Sequence, residues 1–409
     1  MHISKRTTSH IITLLIVFGV VAVVCLTMEN FSGTKDEIVY LKSSKNFIEW
    51  LQWGIHSKSF FAKEVIHRFW DAGHEHPSVL KIVSGITWFL FQDSLGDLAS
   101  LRLGTVLFLA GLTLFSFTVL KSVYGVTTAF LSIIFFIGMP RIFGYFHLAE
   151  ITIQLTCLWN ILLLWIYLIV TKKIGRAHYF LCGIIWGLIC AAKITGILLV
   201  IIAGLFILMV QKKDFFVFLG LWCMGGALSF FLSWPSLWYE GWGFFARHVN
   251  YFYNENLTIQ TFYLGRMYTE LPWHYPWTLF LVTTPVYLLL LLALGGFFVF
   301  QRRDLLGVLA LLNIFVVLGA LSLYTGYPGD GIRHFLVIYP LLGYVMAFGL
   351  KCIPSRSLFH AKGAVQKIAI GLVCTLLFFE NAIVFPDNFQ YYNQLVDVKK
   401  GYFSEQYYP

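Results

Sequence analysis

Long apolar runs separated by short polar turns dominate the hydropathy pattern of the chain. A helix needs about 20 mostly apolar residues to cross a bilayer. Eleven runs predict membrane-spanning helices, at residues 10–28, 99–120, 126–140, 148–170, 179–192, 194–210, 216–235, 278–300, 305–324, 335–350 and 368–385. The pattern predicts an all-α polytopic membrane protein, with residues 1–409 forming one membrane-embedded domain.

The polar interval at residues 29–98 contains an apolar segment, 79–91, of only 13 residues. Because this segment is too short to span, we expect a re-entrant or interfacial helix there. The first run, 10–28, resembles a signal peptide, since Lys5 and Arg6 precede it. It exceeds the usual apolar length of such peptides and lacks a small-residue cleavage site. We interpret it as an uncleaved span with a cytoplasmic N-terminus.

The composition excludes an ordinary soluble protein. Hydrophobic residues make up 58% of the chain and charged residues only 12%, whereas a typical soluble chain has about 25% charged residues. The seven cysteines lie in or beside apolar runs, and their spacing fits neither a disulfide framework nor a zinc site. We also predict no covalently bound cofactor.

The basic residues follow the predicted topology. The polar segments predicted to face the cytoplasm contain 14 Lys and Arg residues and only two acids. The rest of the chain contains 15 Lys and Arg residues and 18 acids. This bias agrees with the positive-inside rule. The net charge of +9 is thus a topology signal, and we predict no nucleic-acid partner. The loops on the outer side are 29–98, 236–277, 325–334 and the tail 386–409.

Ionisable residues beside the spans cluster near the predicted outer ends, and comprise Arg102, Arg141, Glu150, Lys193, Arg333 and Glu380. Charges within the membrane are costly and usually functional. A transporter would be expected to hold such groups near the midplane, between repeated halves, and the sequence shows no convincing repeat. The one-sided arrangement favours an active site at the outer face that receives a lipid-borne substrate.

The sequence Thr34-Lys35-Asp36-Glu37 allows two interpretations. It fits a helix capping box, with Thr34 as the N-cap and Glu37 three residues later. Asp36 also qualifies as a general base, because a carboxylate at an outer helix start can deprotonate an acceptor hydroxyl. Both interpretations are compatible, since a cap would fix the position of the acid.

The cluster His74-Glu75-His76-Pro77 also has several interpretations. Two imidazoles suit zinc and similar ions, but no third ligand follows at a matching spacing. We therefore assign no metal site, and leave a requirement for a divalent ion open. His76-Pro77 fits a turn into the apolar segment that follows. In that turn, His74 or His76 would contact a phosphate or a sugar hydroxyl.

Three cations are candidates for phosphate binding. Arg102 begins the second span and Lys193 adjoins the fifth. Each fits either snorkelling to lipid headgroups or anion binding, for which guanidinium groups suit phosphate oxygens. In the last outer loop, Arg333-His334 follows a glycine-rich stretch that allows close backbone approach, and we predict that it holds phosphate.

The ordered motifs of the chain resemble the protein O-mannosyltransferase family. They also resemble, more loosely, bacterial transferases that move sugars from undecaprenyl phosphate to lipid A. After the Asp-Glu pair, the matching stretches are HEHPSVLKI, LRLG, PRIFGYFHLA, AAKITG, FYLGRMYTELPWHYPW, GIRHFLVIYP and YYNQLV, which run from about residue 30 to 400. The resemblance implies a GT-C membrane fold, a polyprenyl- or dolichyl-phosphate sugar donor, and inverting transfer at the outer face.

The resemblance also implies roles for single residues. Asp36 would be the catalytic acid of the first loop, with Glu37 beside it. His76 matches the first residue of the family's His-Pro-Pro, Arg102 the arginine that opens span two, and Lys193 the lysine before span six. Arg333 likewise matches the arginine of the last outer loop.

Two departures from the family pattern lie at positions that the resemblance links to activity or to the choice of substrate. The family usually has a second aspartate near the outer start of span four, where this chain has Thr152. Glu150 lies two residues earlier, and we predict that it binds substrate. His-Pro-Pro is His-Pro-Ser here. Longer relatives continue into a soluble domain beyond the point where this sequence ends.

These observations predict a membrane glycosyltransferase that uses Asp36 as the base and transfers a sugar to a protein or lipid acceptor. Its partners would be the lipid-linked donor, the acceptor and membrane lipids. We favour a bacterial inner membrane over the endoplasmic reticulum. Two alternatives stay open: a lipid-linked sugar transporter or flippase, and an inactive relative that only binds the lipid donor.

Overall fold

The computed structural model describes residues 5–57, 59–70, 79–254, 260–323, 331–352, 364–396 and 403–404. Helices make up most of this part of the chain. The α-helices are α1 Lys5–Thr27, α2 Lys35–His56, α3 Lys63–Trp70, α4 Val79–Tyr124, α5 Val126–Ile137, α6 Pro140–Tyr145, α7 Ile151–Lys172, α8 Ala177–Ala192, α9 Leu198–Val210, α10 Phe215–Leu232, α11 Ser236–Asn254, α12 Tyr275–Thr283, α13 Val286–Arg302, α14 Leu305–Leu323, α15 Tyr339–Cys352 and α16 Ala364–Val384. Short 3-10 helices lie at Met28–Asn30, Ile194–Ile197, Lys212–Asp214, Gly331–Ile338 and Asn388–Gln390.

The helix lengths confirm the prediction of an all-α polytopic membrane protein. In the described residues, seven helices are long and apolar enough to cross a membrane, and a bent helix pair brings the number to eight. Three shorter apolar helices, α5, α8 and the stretch Ile194–Val210, coincide with further predicted spans. Together these elements account for the eleven predicted spans.

Helix α4 is broken at Gly96, where the backbone adopts φ 76° and ψ 172°. Glycine populates this region of positive φ without steric cost. Residues before the break contain the apolar segment 79–91, and residues after it contain the predicted second span. A Cβ atom on Gly104 would lie only 2.5 Å from the Ser84 hydroxyl oxygen. The two arms therefore pack against each other, as expected for an apolar segment that is separate from span two.

The predicted span 278–300 consists of two helices that meet at a sharp bend. Helix α12 ends at Thr283, α13 begins at Val286, and the two axes differ by 111°. Pro285 between them lacks a backbone N–H, and it restricts the residue before it to extended conformations. Thr284 is accordingly extended, with φ −98° and ψ 130°.

The chain divides into two compact units. The first comprises residues 1–20, 112–145 and 259–409, and the second comprises residues 21–111 and 146–258. The prediction of one membrane domain stays a prediction.

Glycine contacts bring helices close together within each unit. In the second unit, a Cβ on Gly183 of α8 would lie 2.2 Å from the Trp222 carbonyl oxygen of α10. In the first unit, a Cβ on Gly295 of α13 would lie 2.1 Å from the Val345 carbonyl oxygen of α15. Small residues commonly allow such close packing between membrane helices.

In the second unit, α2 and α3 lie within the polar interval 29–98. Their apolar faces meet in a buried cluster that comprises Phe47, Trp50, Ile66, Phe69 and Trp70. The Trp50 indole N–H donates to the Phe60 carbonyl oxygen at 3.2 Å, so its polar edge is satisfied. This cluster holds α2, which carries the Asp-Glu pair, as an ordered helix.

The first unit contains three short strands, two in the second outer loop and one in the tail. β1 Thr261–Tyr263 pairs antiparallel with β2 Arg266–Tyr268 and with β3 Phe403–Ser404. The two-residue turn Leu264-Gly265 has positive φ at both positions, as tight hairpins require. Burial raises the pKa of the Tyr263 hydroxyl, which lies 2.8 Å from Nδ1 of His274.

Asn393 fixes the tail against the broken helix pair in the first unit. Its Nδ2 donates to the carbonyl oxygens of Leu281 and Thr284, each at 2.6 Å, and its Oδ1 accepts from the Leu395 N–H at 3.0 Å. The amide thus satisfies backbone groups that the break at Pro285 leaves outside the helix. Asn393 is 2% exposed, so water does not replace these bonds.

We expect Asn393→Ala to lower the free energy of unfolding by roughly 2–4 kcal/mol, because it leaves several buried polar groups unsatisfied. The measurement is thermal or denaturant unfolding of the purified protein in detergent. Asn30→Ala is a suitable control, since the Asn30 amide makes an exposed bond to the Thr27 carbonyl oxygen. A loss no larger than that of the control would contradict this role.

Candidate functional site

The predicted capping box at the start of α2 is confirmed. The Glu37 backbone N–H donates to the Thr34 hydroxyl oxygen at 3.3 Å, and the Thr34 N–H donates to Glu37 Oε2 at 3.0 Å. Thr34 has the extended backbone of an N-cap residue. Two helix-start N–H groups are thereby satisfied, and the first turn of α2 has a fixed geometry.

The Glu37 carboxylate is completely buried in the second unit, with 0% exposure. Oε1 accepts from Arg102 Nε and from the Ala149 backbone N–H, both at 2.8 Å. Oε2 accepts from Arg102 Nη2 at 3.0 Å, in addition to the capping bond. The contacts favour an anchoring role for Glu37 over the catalytic role that the resemblance implies.

Arg102 uses all five of its N–H donors. Besides the two bonds to Glu37, Nη1 donates to the carbonyl oxygens of Met28 and Phe31 at 2.7 and 2.9 Å. Nη2 also donates to the Ser32 carbonyl oxygen at 3.0 Å. The guanidinium therefore joins the 3-10 turn after α1, the segment that leads into α2, and α4.

The five hydrogen bonds that Arg102 donates bear on the phosphate-binding role predicted for it. The side chain is 2% exposed, and no N–H group is left for a phosphate oxygen in this arrangement. The contacts favour an anchoring role, and they also disfavour snorkelling, because the guanidinium is buried within the protein.

His147 is a buried residue of the same network that the sequence did not single out. Its ring stacks on Phe31 with centroids 4.2 Å apart, and its Nε2 lies 2.7 Å from the Thr27 hydroxyl oxygen. With the Ala149 contact, these interactions fix the segment 146–150 before α7. The only sequence signal was the position of His147 in the stretch HLAE.

Asp36 lies on the exposed side of this anchored turn. Consecutive helical residues point about 100° apart, so Asp36 does not follow Glu37 into the interior and is half-buried. Tyr40, one turn later, shares its face and is also half-buried. The anchored turn thus presents a carboxylate at its rim, and the role of Asp36 as a base stays a prediction.

Glu150 and Lys193 also belong to the second unit. Glu150 is the N-cap residue of α7, is 4% exposed, and makes no side-chain capping bond. Thr152, where the family has an aspartate, is buried on the first turn of the same helix. Lys193 is a half-buried, extended residue between α8 and the 3-10 turn that precedes α9. Their binding roles stay predictions.

Arg333 and His334 belong to the first unit. Both are half-buried in the 3-10 helix that leads into α15, and their assignment to phosphate stays a prediction. His74 and His76 lie outside the described residues. Among the residues that the structure does describe, no group of three or more His, Cys, Asp or Glu is arranged to hold a metal ion, and metal dependence stays open.

Two further ionisable residues of the first unit hold the tail. Arg141 is 1% exposed, donates from Nε to the Tyr391 carbonyl oxygen at 2.7 Å, and lies 4.4 Å from the Tyr392 ring centroid. Glu380 accepts from the Tyr287 hydroxyl at 2.9 Å and from the Gln394 amide at 3.1 Å. The sequence marked both as charges near span ends, and these contacts explain their burial.

The architecture is the GT-C membrane fold. Two similar solved structures are both of ArnT from Cupriavidus metallidurans, a lipid A aminoarabinose transferase. The apo structure matches with a TM-score of 0.65 at 16% sequence identity, over 93% of this chain and 66% of that chain. The structure bound to undecaprenyl phosphate matches with a TM-score of 0.59 at 14% identity, over 89% of this chain and 63% of that chain.

The chain therefore spans slightly less than two thirds of the length of the ArnT chains that it matches. No family model and no curated protein sequence matches it. At these identities the likeness establishes the fold.

Proposed function

We propose that the protein is a membrane glycosyltransferase that moves a sugar from a polyprenyl-phosphate donor to a hydroxyl group of a protein or lipid acceptor. The observation that carries this proposal is the anchored first turn of α2, which presents Asp36 at its rim within a GT-C fold. That an ArnT structure contains bound undecaprenyl phosphate supports a polyprenyl-phosphate donor for this chain.

The proposed reaction is a single displacement at the anomeric carbon of the donor sugar. Asp36 accepts the proton of the acceptor hydroxyl as that oxygen forms a bond to the anomeric carbon. The bond from the anomeric carbon to the phosphate oxygen breaks, and the polyprenyl phosphate leaves with the electron pair. One base is sufficient for this inverting route, whereas retaining enzymes use a second carboxylate as nucleophile.

The base must be held in place, and neighbouring carboxylates must not take the acceptor proton in its stead. Glu37 meets this need, because its carboxylate is saturated by Arg102, Ala149 and Thr34 and does not compete for the acceptor proton. A fixed base adjacent to a rigid turn also limits the reorganisation needed at the moment of transfer. We therefore assign Glu37 and Arg102 as positioning residues.

The outer face of a bacterial inner membrane is the proposed location of this chemistry. The support is the excess of Lys and Arg in the polar segments assigned to the cytoplasm, since α2 and its acids follow the first span on the opposite side.

The deciding experiment incubates the purified protein with a panel of polyprenyl-phosphate sugars, including mannosyl and aminoarabinosyl donors, with peptide and lipid A acceptors. Mass spectrometry then measures the donor consumed and the product formed. We expect release of polyprenyl phosphate that depends on one sugar and one acceptor class. Donor movement across a vesicle membrane without cleavage would establish the transporter alternative instead, and tight donor binding without either outcome would establish the inactive alternative.

A further inference from the structure

A cluster of cations lies where two helix-to-helix turns of the second unit meet, on the side predicted to face the cytoplasm. One turn connects α7 to α8, and the other connects α9 to α10. The cations of both turns are exposed, and they comprise Lys172, Lys173 and Arg176 of the first turn and Lys212 and Lys213 of the second. We call these five residues the basic cluster.

A buried acid joins the two turns. Asp214 is 4% exposed, and its Oδ1 accepts from Arg176 Nη2 at 2.5 Å. Its Oδ2 accepts from the side-chain amide of Gln211. The helices that begin at the two turns also pack against each other, since the rings of Tyr179 on α8 and Phe218 on α10 lie 5.5 Å apart. The fold therefore holds the cations of the two turns beside each other.

The basic cluster keeps a large positive charge. Asp214 neutralises Arg176, whereas the four lysines form no ion pair within the part of the chain that the structure describes. Five cations and one acid thus leave a net charge of +4 on two adjoining turns. Such a concentration of charge attracts an anion with more than one negative group.

Exposed apolar side chains border the lysines of the second turn. Met209, three residues before Lys212, is 63% exposed, and Phe216, three residues after Lys213, is 81% exposed. The stretch Lys212–Leu232 is long and apolar enough to cross a membrane, so these side chains contact acyl chains while the lysines extend to the headgroups. A ligand that fits both surfaces has an anionic head and apolar tails.

We propose that the basic cluster binds an anionic phospholipid of the cytoplasmic leaflet, and that a lipid with two phosphate groups fits it best. Each of the two turns supplies a pair of lysines, which suits one phosphate group per turn. Basic sites between membrane helices on the cytoplasmic side bind headgroups of this kind. The inference is independent of the proposed sugar transfer, because it concerns the side predicted to be cytoplasmic.

Orientation of the chain in the membrane is the competing explanation for these cations. The positive-inside rule requires basic residues in cytoplasmic turns, but it requires neither a fixed geometry nor a preference for one lipid. The turn between α13 and α14 provides a matched comparison, because it has two exposed arginines, Arg302 and Arg303. Removing them changes the topology signal as much as removing two lysines of the basic cluster.

The test measures, by native mass spectrometry of the purified protein in detergent, its affinity for cardiolipin and for zwitterionic phosphatidylethanolamine. We expect the parent to prefer cardiolipin, which has two phosphate groups. Lys212→Gln/Lys213→Gln should weaken cardiolipin binding about thirtyfold, the combined effect of two lysines near an anionic lipid surface, and leave phosphatidylethanolamine binding unchanged. Arg302→Gln/Arg303→Gln should bind cardiolipin like the parent.

Lys172→Gln/Lys173→Gln should cause a similar loss, and it provides the same comparison if the first variant does not fold. Equal cardiolipin affinity in the parent and the lysine variants would overturn the proposal, as would an equal loss in the arginine control. Excess inorganic pyrophosphate should not displace cardiolipin, because the lipid also contacts the apolar surface. Full displacement would overturn the proposal in favour of a soluble phosphate ligand.

Discussion

Asp36→Asn should fold, bind the lipid donor and lose sugar transfer by about 10²- to 10⁴-fold, the usual effect of removing a general base. The asparagine has nearly the same shape but does not accept the acceptor proton. The N-cap of α2 stays intact, because Thr34 and Glu37 form the capping box. The loss of one charge near the helix N-terminus should cost about 0.3–1 kcal/mol of stability.

Three measurements check this prediction: the melting temperature, the affinity for undecaprenyl phosphate, and the rate of product formation under saturating donor. Asp93→Asn is the matched control, because Asp93 is an exposed acid of the same interval of the chain and should transfer sugar at the parent rate. If Asp36→Asn transferred sugar nearly as fast as the parent, the base would have to be another residue. Glu150, at the N-cap of α7, would then be tested next.

The hydropathy pattern predicted the membrane architecture well, because spanning a bilayer imposes a length and a composition on each segment separately. The break in α4 could also be predicted from local sequence, because the 13-residue apolar segment 79–91 is too short to span a bilayer. The break at Pro285 also had a sequence signal, because proline removes a helical N–H. It was missed because an apolar run continues on both sides of Pro285.

The network around Glu37 was predictable only in part. The capping box could be read from four consecutive residues, but Arg102 and Ala149 are 65 and 112 positions away from Glu37 in the chain. No spacing rule relates such distant positions. The sequence therefore identified Arg102 as a cation at a span end and as a candidate phosphate ligand. Only the contacts show that its donors are used internally.

Lys81, near the start of α4, illustrates a signal that was present and unused, because it is a lysine only 2% exposed. A single lysine within an apolar segment of a membrane protein is itself a functional indication. Hydropathy does not reveal its neighbour across the helix interface, the Tyr40 ring, whose centroid lies 5.2 Å from the Lys81 Nζ. The two histidines that the sequence did select, His74 and His76, lie outside the described residues, so their predicted contacts with phosphate or sugar are untested.

Disrupting the buried Glu37–Arg102 pair should have the largest effect on stability. We expect Glu37→Leu and Arg102→Met each to lower the free energy of unfolding by about 3–5 kcal/mol, because each leaves an uncompensated buried charge. The double variant should lose less than the sum of the two, since a pair of apolar side chains leaves neither charge buried. Sugar transfer should stay low in the double variant even where it folds, because the turn that positions Asp36 has lost its anchor.

Unfolding of the four proteins in detergent, analysed as a double-mutant cycle, measures the coupling between the two side chains. Lys45→Met is the control, because the Lys45–Asp97 ion pair has the same chemistry but exposed partners, at 33% and 51%. Exposed pairs contribute only about 0–1 kcal/mol, so this variant should unfold almost like the parent. If either buried variant were as stable as Lys45→Met, or if the two losses added without coupling, the pair would not anchor α2. The position of Asp36 would then require another explanation.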